Sequence, residues 1–197
     1  MVSHKHRYIF VHIPKCAGTS VEKFLLDHEG VACDWSFTKA PLMTLSDVDK
    51  REYKLHYNAQ QHSRLSDYDS DLQREYFCFT FVRNPWERCV SEYLYYSKYT
   101  KNTPDPFEEW IVNPVCEPYH MEPQVSFINK NIDYVGKVET ISSDYDKICS
   151  HIGISPRPLE KLNTSTMYDY RSYYTNTSKN IVVEKYKNDI EQFDYDF

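Results

Sequence analysis

Pro14-Lys15-Cys16-Ala17-Gly18-Thr19-Ser20 puts a cation, a small flexible residue and two hydroxyls into one short stretch. The apolar run Tyr8–Ile13 precedes it, and helical spacing of Val21, Phe24, Leu25 and His28 follows it. A loop between a buried strand and a helix N-terminus collects anions. The free backbone N–H groups and the helix dipole point at one spot. Lys15 adds charge there, Gly18 permits close backbone approach, and Thr19 and Ser20 offer hydroxyl donors. A plain turn with a helix cap would explain some of these residue types, but not their coincidence.

A second run, Tyr76–Val82, ends in Arg83, and Asn84-Pro85-Trp86-Glu87 follows as a helix start: Asn as N-cap, Pro at the first position, Glu at the third. The first loop is not a Walker A loop, in which Lys directly precedes the Ser/Thr at the helix start. The second strand ends in a cation, where a magnesium-dependent nucleotide enzyme would want Asp. The pair fits an anion with more than one phosphate-like group, held by protein cations without metal.

The elements that must position these residues follow from periodicity. The spacing predicts strands over Tyr8–Ile13, Tyr76–Val82 and Tyr134–Val138. It predicts helices over Thr19–His28, Asn84–Tyr99, Phe107–Val112, Gln124–Ile128, Asp144–Ile152 and Lys179–Phe193. Gly30 should end the first helix. Near-continuous apolar strands alternating with helices imply an α/β class with a mostly parallel central sheet. Residues 31–75 resist assignment, apart from a brief strand ending near His56.

The 197 residues suggest one domain, residues 1–197, large enough for its own core. The 41% hydrophobic and 26% charged residues exclude a disordered chain. A net charge of -6 argues against a nucleic-acid binder. No apolar run is long enough to span a bilayer, and the run after Lys5 and Arg7 is too short for a signal peptide. The six cysteines form no C-x-x-C pair and read as buried thiols in a reducing compartment. These features predict a soluble, cytoplasmic protein without a metal site. A shortened form of a Golgi-lumenal protein is the other possibility. Oligomeric state is not legible.

Phe10-Val-His-Ile-Pro-Lys-Cys-Ala-Gly-Thr-Ser20 resembles the 5′-phosphosulfate loop of sulfotransferases that use 3′-phosphoadenosine 5′-phosphosulfate (PAPS). Phe79-Thr-Phe-Val-Arg-Asn-Pro-Trp-Glu-Arg-Cys-Val-Ser-Glu-Tyr93 resembles their 3′-phosphate motif. The branch is that of carbohydrate sulfotransferases, sulfotransferase family 2, with heparan sulfate 2-O-sulfotransferase and bacterial relatives. The tail, from Leu162 to Phe197, is similar to that branch, whereas 31–75 and 100–130 match poorly.

The resemblance implies a P-loop-like three-layer fold and sulfonate transfer from PAPS to a hydroxyl acceptor, a carbohydrate. Lys15, Cys16, Ala17, Gly18, Thr19 and Ser20 would bind the 5′ end of the donor. Arg83 and Ser91 would hold the 3′-phosphate. Asn163 and Ser165 would close over the nucleotide. Lys15 is also expected to stabilise charge on the bridging oxygen.

In-line attack by an alcohol needs a proton acceptor, and histidine suits neutral pH. His56 and His62 both remain after terminal, strand and helix histidines are set aside. Relatives carry a histidine between the two phosphate motifs, at a strand end. His56 fits that placement and is the expected base, with His62 in reserve. Glu22 reads as decoration of the first helix, and Arg88 as a structural partner. Two other readings stay open. One is a P-loop kinase-like enzyme that binds ATP with magnesium. The other is a non-catalytic relative that binds PAPS or a glycan.

Overall fold

The computed structural model describes residues 1–30, 62–100, 105–117, 119–159 and 169–197. His56, Asn163 and Ser165 lie outside these described residues, as does the expected strand near His56.

Its sheet is formed by β1 (Val2–Ser3), β2 (Tyr8–Val11), β3 (Phe77–Val82) and β4 (Tyr134–Lys137), side by side in that order. β1 runs antiparallel to β2, while β2, β3 and β4 are parallel. The register pairs Val11 with Thr80 and Val82 with Lys137, so the C-terminal ends of β2 and β3 open onto a common edge. Ligands of open α/β sheets bind outside such carboxyl ends.

Tyr8 and Phe10 point to one face of the sheet and Ile9 and Val11 to the other, as the two-residue strand period requires. The first face is covered by α1 (Gly18–Glu29) and α5 (Ile141–His151) through Val21, Leu25, Tyr145 and Ile148. The other is covered by a 3-10 turn at Leu65–Asp67, by Leu72 of α2 (Ser70–Glu75), by Phe127 and by Phe193. The expected α/β architecture is therefore present, with a mostly parallel sheet between two packing layers.

A third apolar cluster surrounds α3 (Pro85–Thr100). Trp86, Cys89 and Val90 pack there against Phe107 and Trp110 of α4 (Phe107–Trp110) and against Val182 and Tyr186. The many tyrosines act as amphipathic packing residues here. Tyr174 donates to the Trp86 carbonyl at 2.9 Å and Tyr186 to the Met121 carbonyl at 2.9 Å while their rings are buried or half-buried.

Several expectations change in detail. β2 stops at Val11, before Ile13. The last helix is two, α6 (Asn176–Lys185) and α7 (Lys187–Phe193), broken at Tyr186. Tyr186 is anchored in the third cluster, and the break lets α7 turn to place Asp189 and Phe193 in the interior. Gln124–Phe127 is one 3-10 turn where a helix to Ile128 was expected. Gly30 ends α1 in the left-handed conformation, φ 78°, which costs glycine little.

Candidate active site

The loop after β2 enters α1 through two left-handed residues, Lys15 (φ 66°) and Ala17 (φ 60°). Neither is glycine, so the turn carries strain of ~1–3 kcal/mol per residue, a cost that clusters at ligand sites. Ala17 is the N-cap and supplies no side-chain acceptor. The Gly18 and Thr19 N–H groups therefore get no side-chain cap from that residue, while the Ser20 N–H already bonds the Ala17 carbonyl at 3.0 Å.

Gly18 has a reason the sequence did not show. A Cβ at this position would lie 2.0 Å from the His12 ring. The close approach that requires glycine is thus to a side chain of the same protein. His12 Nδ1 lies 3.0 Å from Glu22 Oε1, and both side chains are almost wholly buried. Glu22 does not decorate the helix surface; it faces inward and packs beside the imidazole beneath the loop.

Arg83 at the end of β3 reaches the same loop. Its guanidinium donates to the Lys15 carbonyl at 3.3 Å and to the Glu87 carboxylate at 2.9 Å. Asn84 caps α3 as predicted: its Oδ1 accepts from the backbone N–H groups of Trp86 (3.0 Å) and Glu87 (3.3 Å). Ser91 is half-buried one turn beyond Glu87, on the helix face shared with Arg88 and Tyr95.

Arg88 is a structural clasp, but it is buried and bonds carbonyls, where an ion pair or a surface position was expected. It is 1% exposed and donates to the carbonyls of Pro14 (3.0 Å), Glu122 (2.8 Å) and His120 (2.8 Å). One side chain thereby fixes the loop to the 120–122 segment. Gln124 is a second clasp. Its Oε1 accepts from the Arg83 N–H (2.8 Å) and the Cys16 thiol (3.1 Å), and its Nε2 donates to the Arg83 carbonyl (2.9 Å). Asp189 anchors it by accepting from the Gln124 backbone N–H at 2.8 Å.

The two sequence motifs are thus brought together, but not every predicted residue faces outward. The Cys16 side chain turns inward, and burial pushes its thiol up to about 12. Its backbone N–H donates to the Ile13 carbonyl at 3.3 Å. Any contribution of Cys16 to an anion comes from the shape of the loop.

The Lys15 ammonium lies 3.9 Å from Glu92 Oε2 and 3.8 Å from the centre of the Tyr95 ring. Burial lowers its pKa to about 8, against the opposing pull of Glu92; the Arg83 charge lowers it further. His120 Nδ1 sits 2.9 and 3.0 Å from the two Glu92 oxygens. His62 stands between the two other rings, 4.7 Å from His12 and 5.2 Å from His120 centre to centre. Its Nδ1 donates to the His12 carbonyl at 3.1 Å. Burial, with His12 adding to it, lowers the His62 pKa to about 2, so the ring stays neutral.

Glu92, Tyr95, His120 and Gln124 were missed as site residues. Glu92 could have been found, since it lies one turn beyond Arg88 on the predicted helix. Nothing local marks His120 or Gln124, because long-range folding alone brings them in. Among the described residues no group of His, Cys, Asp and Glu is arranged to hold a metal ion. No helix among them is long and apolar enough to cross a membrane.

The two strand ends thus bring a lysine-bearing loop and an arginine side by side at one edge of an α/β sheet. Residues 1–196 match the family described as "Sulfotransferase family", and the chain belongs to that family. It is 32% identical over 101 residues to an uncharacterized protein of Archaeoglobus fulgidus, a match covering 49% of this chain and 83% of that protein. A sulfotransferase crystal structure from Alicyclobacillus acidocaldarius aligns over 94% of this chain and 95% of that one, with 16% identity and a TM-score of 0.48.

Proposed function

We propose that this protein transfers the sulfonate of PAPS to a hydroxyl of a carbohydrate. The observation that carries the reading is the junction of the two cationic motifs: the Arg83 guanidinium bonds the Lys15 carbonyl at 3.3 Å. Two cations at adjacent strand ends match a donor with a phosphosulfate at one end and a phosphate at the other. Lys15, with the amides at Ala17 and Gly18 and the hydroxyls of Thr19 and Ser20, receives the 5′ end. Arg83 and Ser91 receive the 3′-phosphate. Asn163 and Ser165 are assigned to the nucleotide by the tail resemblance alone.

The acceptor oxygen attacks sulfur as the bond from sulfur to the bridging oxygen breaks. The electron pair leaves on that oxygen, giving 3′,5′-adenosine diphosphate, and Lys15 offsets its charge. The acceptor proton passes to a histidine, for which His56 is the candidate. His62 is a poorer one, because its neutral ring is costly to charge.

Calorimetry with 3′,5′-adenosine diphosphate and with ATP, each with and without magnesium, tests the donor site. Magnesium-independent binding of the former, lost in Arg83→Ala, is the expected result. Preference for ATP with magnesium would move the reading to phosphoryl transfer. Binding of PAPS with no sulfation across a panel of sugars and simple alcohols would make the protein a non-catalytic binder.

A further inference from the structure

The carboxylate of Glu92 is 1% exposed and among the described residues has two partners, the Lys15 ammonium and the His120 ring. The same oxygen, Oε2, lies 3.9 Å from Lys15 Nζ and 3.0 Å from His120 Nδ1. The His120 backbone is held independently of Lys15, because its carbonyl accepts from the buried Arg88. The residue that partners the carboxylate therefore stays with the 120–122 segment if the lysine moves. Lys15 can move: its flexible stem ends in a side chain that is 15% exposed, against 1% for Glu92.

From this geometry, and resting on the donor reading above, we propose that Glu92 is a built-in counter-ion for Lys15. It holds the ammonium until the 5′ anion of the donor displaces it, and His120 keeps the carboxylate in place afterwards. Glu92 is a positioning residue acting through Lys15. A buried carboxylate does not give up a cation cheaply, because a lone buried charge is strongly disfavoured. The Glu92–His120 hydrogen bonds supply the second partner that makes the exchange tolerable.

The arrangement also selects among anions. A weak, singly charged anion does not outbid a carboxylate already in contact. A phosphosulfate, or the 5′-phosphate of the product, carries the charge and the neighbouring amides to do so. Glu92 thereby keeps an empty loop from filling with simple anions, at some cost in affinity for the intended one.

The test measures binding of 3′,5′-adenosine diphosphate and of adenosine 3′-monophosphate by calorimetry at pH 6, where the Lys15 ammonium stays charged. The wild type is compared with Glu92→Gln and Glu92→Asp. Glu92→Gln should bind 3′,5′-adenosine diphosphate about tenfold more tightly, because a like charge near the 5′-phosphate is gone. Glu92→Asp should remain near wild type. Adenosine 3′-monophosphate lacks the 5′ group and should bind both variants as it binds the wild type. A merely structural role for Glu92 predicts weaker binding of both nucleotides to Glu92→Gln. That outcome, or an unchanged affinity for 3′,5′-adenosine diphosphate, overturns the counter-ion role. Failure of the wild type to bind 3′,5′-adenosine diphosphate overturns the donor reading itself, and the role with it.

Discussion

The two strand-to-helix junctions of this protein solve the same problem in opposite ways. After β2 the chain enters α1 through left-handed Lys15 and Ala17, with no side-chain cap from the N-cap residue. After β3 it enters α3 through Asn84, whose side chain accepts from two of the helix's first amides. The first junction leaves its helix start without a side-chain cap from Ala17 and bears backbone strain. The second satisfies its own helix start and offers a charged side chain, Arg83. An uncapped helix end attracts an anion through amides, while a capped one must use a cation.

The largest effect should come from removing the charge at the uncapped junction. Lys15→Ala should cut sulfonate transfer by roughly 10²–10³-fold, the scale of losing one preorganised group at a developing oxyanion. Transfer of label from radioactive PAPS checks it, and normal turnover would remove Lys15 from the mechanism. Arg83→Ala should instead act mainly on nucleotide affinity, which would separate the two junctions by kcat against KM.

The next effect tests the packing beneath the first loop. Gly18→Ala should destabilise the fold by about 1–3 kcal/mol, as forced overpacking does, because its new methyl meets the His12 ring. Chemical denaturation measures this. An unchanged midpoint would mean that the His12–Glu22 pair yields easily.

A pH series sharpens the comparison further. Lys15 has its pKa lowered to about 8, chiefly by burial. The cation, and with it anion binding, is fully present below that value and is lost as pH rises through it. Affinity for 3′,5′-adenosine diphosphate should fall by up to about tenfold per pH unit above 8. In Lys15→Arg the fall should vanish, because guanidinium stays charged. A fall persisting in that variant would assign the titration elsewhere.

The smallest effect belongs to the capped junction. Asn84→Ala should cost about 1 kcal/mol of stability, the usual value of an N-cap. Its Nδ2 also donates to the Asp196 carbonyl at 2.8 Å, so the C-terminal tail should loosen with it. The thermal midpoint and protease sensitivity of the tail report both. An equal loss of nucleotide affinity in Asn84→Ala and Lys15→Ala would erase the distinction between the junctions.

The sequence by itself determined the two cation-bearing strand-to-helix junctions, the alternation of buried strands and helices, and the cap at Asn84. These are local properties, read from side-chain period and from residues adjacent in the chain. The placement of Lys15 and Arg83 at the ends of neighbouring strands was legible because each strand–loop–helix unit carries its residues in one stretch. Only the tertiary structure decided what surrounds them. His12 accounts for Gly18, Arg88 ties Pro14 to the 120–122 segment, and Gln124 joins Cys16 to Arg83. Glu92 and His120 meet across 28 residues of chain. Such partners leave no periodic trace, because burial and hydrogen-bond satisfaction depend on which segments fold together. The break at Tyr186 was hidden for the same reason. Helical spacing continues through it, and what divides the helix is the packing of one ring and one hydroxyl against Met121.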